Sequence, residues 1–331
     1  MVRTQGVGGA TVSGAANDSV SIGLRRFSFT PLALINIHYV GKVNIVGLIE
    51  EILIFGTIKG CVYALIATGF TLIFAVAGVL NLAHGTFYML GAYLTYSLFH
   101  TLGIPLALAM FMAAILVGLL GILMDKFLLK PMRTSHSYVL VLTVAVAFAA
   151  QEVILIIYGP RGMNIPNLIK GSVSILGVMV SWHQIMIVVI TLVVLLGLWL
   201  VLTRTKYGVA TLAVSMDELG ARFVGIETEK VFNFAMFASA FLAALAGAII
   251  SPILSMTPTM WDMPLMKAFV VVVVGGIGSL TGTIMAAFFL GWLETFTGFI
   301  ISPKLTEVVS LGLLTVFLIF RPSGIVGRRL N

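Results

Sequence analysis

The side chains that could do chemistry in this 331-residue chain are few, and most are isolated within apolar sequence. Lys59, Glu152, Lys267 and Glu294 lie inside or beside apolar runs, with Gln151, Asn233 and His84 as polar company. A charge in hydrocarbon is costly, so such residues face a bundle interior, pair, or sit near a span end where a long side chain reaches the headgroups. The last reading suits Lys59 and Lys267. Glu152 and Glu294 each call for a partner that the sequence does not name. No catalytic set emerges. There is no G-x-x-x-x-G-K-[ST] phosphate loop, no H-E-x-x-H and no G-x-S-x-G. Five histidines and one cysteine are scattered without metal-ligand spacing, and Cys61 has no partner for a disulfide. No catalytic, cofactor-binding or metal-binding residue is therefore assigned.

Two breaks in apolar sequence are more informative. Asn81-Leu82-Ala83-His84-Gly85 inserts an amide, an imidazole and a glycine. Gly275-Gly276-Ile277-Gly278-Ser279, followed by Thr281 and Gly282, inserts a run of glycines. Each precedes a helical run. One reading makes them re-entrant backbone at membrane depth, tolerated only where protein or a watery cavity covers it, with helix N-termini that favour a carboxylate. The other makes them tight turns at the membrane surface. On the first reading Asn81, His84, Gly85, Gly275, Gly276, Gly278 and Ser279 are candidates for a translocation pathway.

The elements that position these residues follow from composition. The chain is 60% hydrophobic and 9% charged, far below the charge that covers a soluble surface. Its apolar runs approach or exceed the ~20 residues that span a bilayer as a helix, and they lack the alternation of barrel strands. The fold class is therefore all-α: a polytopic bundle of about nine spans, between eight and ten. The formal net charge of +7 lies in loops, where it sets orientation and does not point to nucleic acid. Residues 1–50 read as an N-terminal extension without a signal peptide, partly disordered or interfacial, and 51–331 as the membrane domain. The first strong run, Ile52 to Leu80, is long enough to tilt or break. The loops at 125–136, 204–230 and 321–331 hold most of the Lys and Arg of the membrane domain, which places them and the C-terminus in the cytoplasm. Between Val231 and Ile253, Ser239, Ala243, Gly247 and Ser251 recur at four-residue spacing, which suits close packing within the chain or, alternatively, a dimer seam.

The stretch from Arg204 to Lys230 is too polar for hydrocarbon, yet Val209, Leu212, Met216, Leu219 and Phe223 recur at gaps of three and four. That is one stripe of a helix, and Gly225 offers its stop. Two readings fit a short amphipathic helix here: an interfacial element on lipid headgroups, or a docking surface for a soluble partner.

The run from Tyr63 to Phe74, continued by Gly78-Val79-Leu80-Asn81-Leu82-Ala83-His84-Gly85-Thr86-Phe87 and on to Tyr93, resembles the permease subunits of branched-chain amino-acid ABC importers, the LivH type. Lys130-Pro131-Met132-Arg133, the glycine run at 275–282 and Arg321-Pro322-Ser323-Gly324-Ile325-Val326-Gly327-Arg328 agree in order. The likeness covers about residues 50 to 331. It implies a multi-pass protein of the prokaryotic plasma (inner) membrane. The implied partners are a second homologous permease, two cytoplasmic ATPase subunits that hydrolyse ATP, and an extracytoplasmic binding protein. It also implies that the helix near 208–226 is a coupling helix seated on an ATPase, with Ala210, Leu212, Met216, Asp217, Glu218, Leu219, Gly220, Phe223 and Gly225 as its docking residues. Branched-chain or other aliphatic amino acids are the implied substrate. Urea or short amides remain the alternative within the class. A stand-alone channel or ion-coupled secondary transporter is the alternative outside it.

Overall fold

The computed structural model describes residues 45–326 apart from 134, 322 and 323. The first 44 residues of the expected extension, and Pro322, Ser323, Gly327 and Arg328 of the C-terminal motif, lie outside the described residues. Eleven helices follow in order among those described: α1 Ile45–Ala77, α2 His84–His100, α3 Leu106–Met124, α4 His136–Tyr158, α5 Trp182–Arg204, α6 Lys206–Met216, α7 Glu218–Phe223, α8 Thr228–Ile250, α9 Asp262–Gly275, α10 Leu280–Ile300 and α11 Thr306–Phe320. Seven segments are long and apolar enough to cross a membrane: α1, α3 with the turns that follow it, α4, α5, α8, α10 and α11 with the turn before it. The 17-residue α2 and the 14-residue α9 lie inside the same bundle but are shorter.

The first run is one unbroken helix of 33 residues that begins at Ile45, seven residues before the apolar run read from sequence. Its glycines are notches. A Cβ on Gly60 would come 2.9 Å from the Phe288 Cα of α10, and one on Gly291 would come 2.9 Å from the Gly60 Cα. Small residues four apart let two backbones touch in this way. Hence the 56–60 turn of α1 lies beside 288–292 of α10, while Thr71 bonds Thr283 at 2.8 Å, so the two helices are antiparallel. The small residues of α8 are spent the same way. Gly247 lies against the Tyr88 carbonyl and Ala244 against Gly91, both on α2, so this seam packs within the chain.

A hairpin that the all-α reading omitted joins α4 to α5: β1 Ser172–Ile175 pairs antiparallel with β2 Val178–Ser181. Leu176 and Gly177 both have positive φ, 51° and 83°, the two-residue turn that matches strand twist. Ser181 then caps α5, accepting from Gln184 N while the Gln184 side chain accepts from Ser181 N.

The contacts sort the loops into two ends of the bundle. Lys130 pairs with Glu229, and Arg133 lies over the Phe232 ring at 3.8 Å, so the 125–133 turn meets the start of α8. Ile325 N donates to Val274 O and Val326 N to Gly275 O, so the C-terminal segment closes the end of α9. The basic loops thus share one end with the C-terminus of α1. The hairpin, the end of α8 and the start of α9 lie at the other.

Candidate functional site

At that second end α1, the segment after α8 and the start of α9 enclose a cavity of about 570 Å³. Its wall is apolar: Phe55, Ile58, Val62 and Ile66 from α1 face Ile250, Ile253 and Leu254. Lys59 and Asp262 stand exposed at its rim, with no ion pair among the described residues. Deeper, Tyr63, Tyr88 and Lys267 border it. An apolar wall with a few fixed polar groups is the usual make-up of a small-molecule site.

Lys267 does not reach for the headgroups, as the sequence suggested; it is 9% exposed. Its ammonium lies 2.5 Å from Glu294 Oε1 and 2.9 Å from Ser310 Oγ. Ser310 Oγ donates to Glu294 Oε1 at 2.5 Å, and Tyr63 OH donates to Oε2 at 2.6 Å. This supplies the missing partner of Glu294 and ties α1, α9, α10 and α11 together. A buried charge survives only with such pairing. Lys59, by contrast, is exposed as expected. Glu152 is exposed too, with the Gln151 amide 3.4 Å away as its contact.

None of the seven pathway candidates lines the cavity; one, His84, bonds a lining residue from behind. His84 is fully buried, and its Nε2 lies 3.0 Å from the carbonyl of Ile66, a lining residue. A carbonyl only accepts, so Nε2 carries the proton; Nδ1 then accepts from Ser239 Oγ at 3.2 Å. Asn81 Oδ1 accepts from Ala83 N at 3.1 Å, and Leu82 N donates to Thr143 Oγ1 at 3.2 Å. Irregular backbone can lie inside the bundle because its polar groups are satisfied this way. Gly85 is required by contact: a Cβ there would fall on the Trp261 carbonyl and 2.9 Å from the Leu265 Cβ. The first break is therefore buried irregular backbone. The second is a turn at the opposite end, with Ile277 and Gly278 exposed. Gly275 is buried against Gly282, Gly276 (φ 104°) packs against Gly324, and Ser279 caps α10 by accepting from Gly282 N at 3.2 Å.

The stretch between α5 and α8 is two helices, with the break at Asp217, whose backbone is extended (φ −156°, ψ 106°). The sequence pointed to one helix over 209–224. Gly220 leaves room for the turn, since a Cβ there would sit 2.6 Å from Asp217 Oδ2. The stripe outlives the break: Val209, Leu212, Met216, Leu219 and Phe223 are all at least 61% exposed. Thr211, Val214 and Ala221 face the bundle, and Ala210 is half-buried. Asp217 is exposed, Glu218 pairs with Arg222 at 2.5 Å, and Gly225 ends the segment at φ 84°.

Residues 52–318 match the family described as "Branched-chain amino acid transport system / permease component". The chain is 31% identical over 291 residues to the high-affinity branched-chain amino acid transport system permease protein BraD of Pseudomonas aeruginosa, covering 83% of this chain and 95% of that one. It is 29% identical over 288 residues to the corresponding permease protein LivH of Escherichia coli, covering 82% and 94%. In three dimensions it resembles PsaBC from Streptococcus pneumoniae, solved in complex with Fab. The TM-score is 0.51 over 84% of this chain and 97% of that chain, and at 13% identity the likeness speaks for the fold alone.

Proposed function

This chain belongs to the family of permease components of branched-chain amino acid transport systems, and from that premise we propose that its cavity carries an aliphatic amino acid through the prokaryotic inner membrane by alternating access. The observation that carries the reading is the cavity itself. An apolar wall suits a branched aliphatic side chain, and a cation and an anion at the rim, Lys59 and Asp262, suit a zwitterion. The relatives favour this reading over urea, short amides or a stand-alone channel. With the basic loops in the cytoplasm, the cavity opens outward, where an extracytoplasmic binding protein would release its load. The opposite end then carries the exposed stripe of α6 and α7 toward two cytoplasmic ATPase subunits, and a second permease completes the passage. ATP is hydrolysed by those partners, and this chain contributes the path.

The geometry supplies a link between the two ends. α6 packs against α1 and α8, the helices whose far ends wall the cavity. A push on the stripe therefore moves rigid elements that reach the substrate, a bistable motion of packed helices. Val62→Trp projects an indole into the cavity from its α1 wall, at the far end from α6 and α7. In vesicles reconstituted with the partner subunits and the binding protein, it should abolish leucine uptake while the ATPase still co-purifies. Uptake at the wild-type rate would refute the cavity as the path.

A further inference from the structure

We propose that Lys267 is the carboxylate-recognising residue of this cavity, presented by a cradle made of Glu294, Ser310 and Tyr63; the proposal rests on the cavity being the amino-acid path. An ammonium has three N–H donors and no acceptor. Glu294 Oε1 and Ser310 Oγ take two of them, at 2.5 and 2.9 Å. Glu294 and Ser310 do not border the cavity, whereas Lys267 does. The third N–H has no partner among the described residues, and of the four residues Lys267 and Tyr63 border the space, Lys267 alone carrying a positive charge. Glu294 is itself held by Ser310 at 2.5 Å and by Tyr63, which also borders the cavity, at 2.6 Å, so the carboxylate is fixed and the ammonium is fixed upon it. A ligand carboxylate meeting that donor gains a charge-assisted bond where little water competes. Lys59, exposed at the rim, is screened by solvent and attracts an anion without holding it.

A merely structural pair would fasten α9 to α10 and α11 and be indifferent to what enters the cavity. The test therefore reads selectivity. Binding of L-leucine and of L-leucinamide, which lacks the carboxylate, is measured by saturation-transfer NMR on the full chain in lipid nanodiscs. The unaltered protein should prefer leucine at least tenfold; equal affinity overturns the proposal without any variant. Lys267→Met combined with Glu294→Leu removes both charges, so neither is left buried alone. It should weaken leucine binding tenfold or more and bring the two ligands within twofold of each other. Preserved preference for leucine in that double variant overturns the assignment. Val62→Trp separates the path from the role of Lys267. If leucine binds with unchanged affinity beside the added indole, the path reading fails. If the indole abolishes binding while the double variant still discriminates, only the role of Lys267 fails.

Discussion

Large apolar side chains serve opposite purposes at the two ends of this bundle. On α6 and α7 they stand outward as a convex stripe, Phe223 at 90% exposure being the extreme. At the other end Phe55, Ile58, Val62 and Ile66 turn inward around a hollow. Charge is arranged in the same contrast. Glu218 and Arg222 pair in the open at the first end, while Lys267 and Glu294 pair in the interior toward the second. On the proposed function, the exposed stripe beside exposed charges would select a macromolecular surface, burying apolar area at the centre and using charge for orientation. The hollow, with the paired Lys267 at its inner border, would select a small molecule by its functional groups.

Breaking the interior pair should have the largest effect. Glu294→Leu alone leaves Lys267 buried without its carboxylate, which costs roughly 3–5 kcal/mol. Thermal unfolding in detergent should show a much lower midpoint, and the Lys267→Met, Glu294→Leu double variant should recover most of the loss. Next comes the stripe. Leu219→Asp places a charge at the centre of the surface assigned to the ATPase, and should weaken its co-purification about a hundredfold, in line with the several kcal/mol of an unpaired buried charge. The chain should still insert, because Leu219 is 66% exposed. Gly85→Val comes third: overpacking against Trp261 and Leu265 costs about 1–3 kcal/mol. It should reduce leucine uptake more than membrane insertion, because the displaced helix starts also frame the cavity. Asp217→Lys comes last. An exposed charge at the rim of a docking surface should change ATPase affinity less than tenfold, and the change should shrink as salt is raised.

The sequence exposes these features unequally, for physical reasons. Spans, basic loops and the stripe are local patterns, and each was readable from consecutive residues. The stripe was legible even though the helix beneath it is broken at Asp217, because the apolar spacing continues across the turn. The hairpin was missed in a membrane context, although Ser172-Val173-Ser174-Ile175 alternates and Leu176-Gly177 is a turn signal. The interior pair was invisible for another reason. Lys267 and Glu294 are 27 positions apart on two helices, and nothing in the sequence says which faces of those helices meet. The two breaks looked alike as interruptions of apolar sequence. They differ because Asn81 and Thr143 satisfy the first inside the bundle, while the second is closed by a C-terminal segment 51 residues further along, Ile325 bonding Val274 and Val326 bonding Gly275. The cavity lining was missed too. Phe55, Ile58 and Val62 are ordinary apolar residues, and what marks them is the hollow they face.

On the proposed function, the hollow at the second end is the amino-acid path and faces outward. Cysteine at position 254 tests it most directly, because Leu254 lines the cavity and is 49% exposed. The background is Cys61→Ala, which removes the chain's single, fully buried cysteine. A membrane-impermeant thiol reagent added to intact cells should modify Leu254→Cys and stop leucine uptake, and leucine delivered by the binding protein should slow the modification. Ser215→Cys in α6 should react only once the cytoplasmic face is opened. Modification of Leu254→Cys at a rate indifferent to leucine, with uptake intact afterwards, would contradict the account.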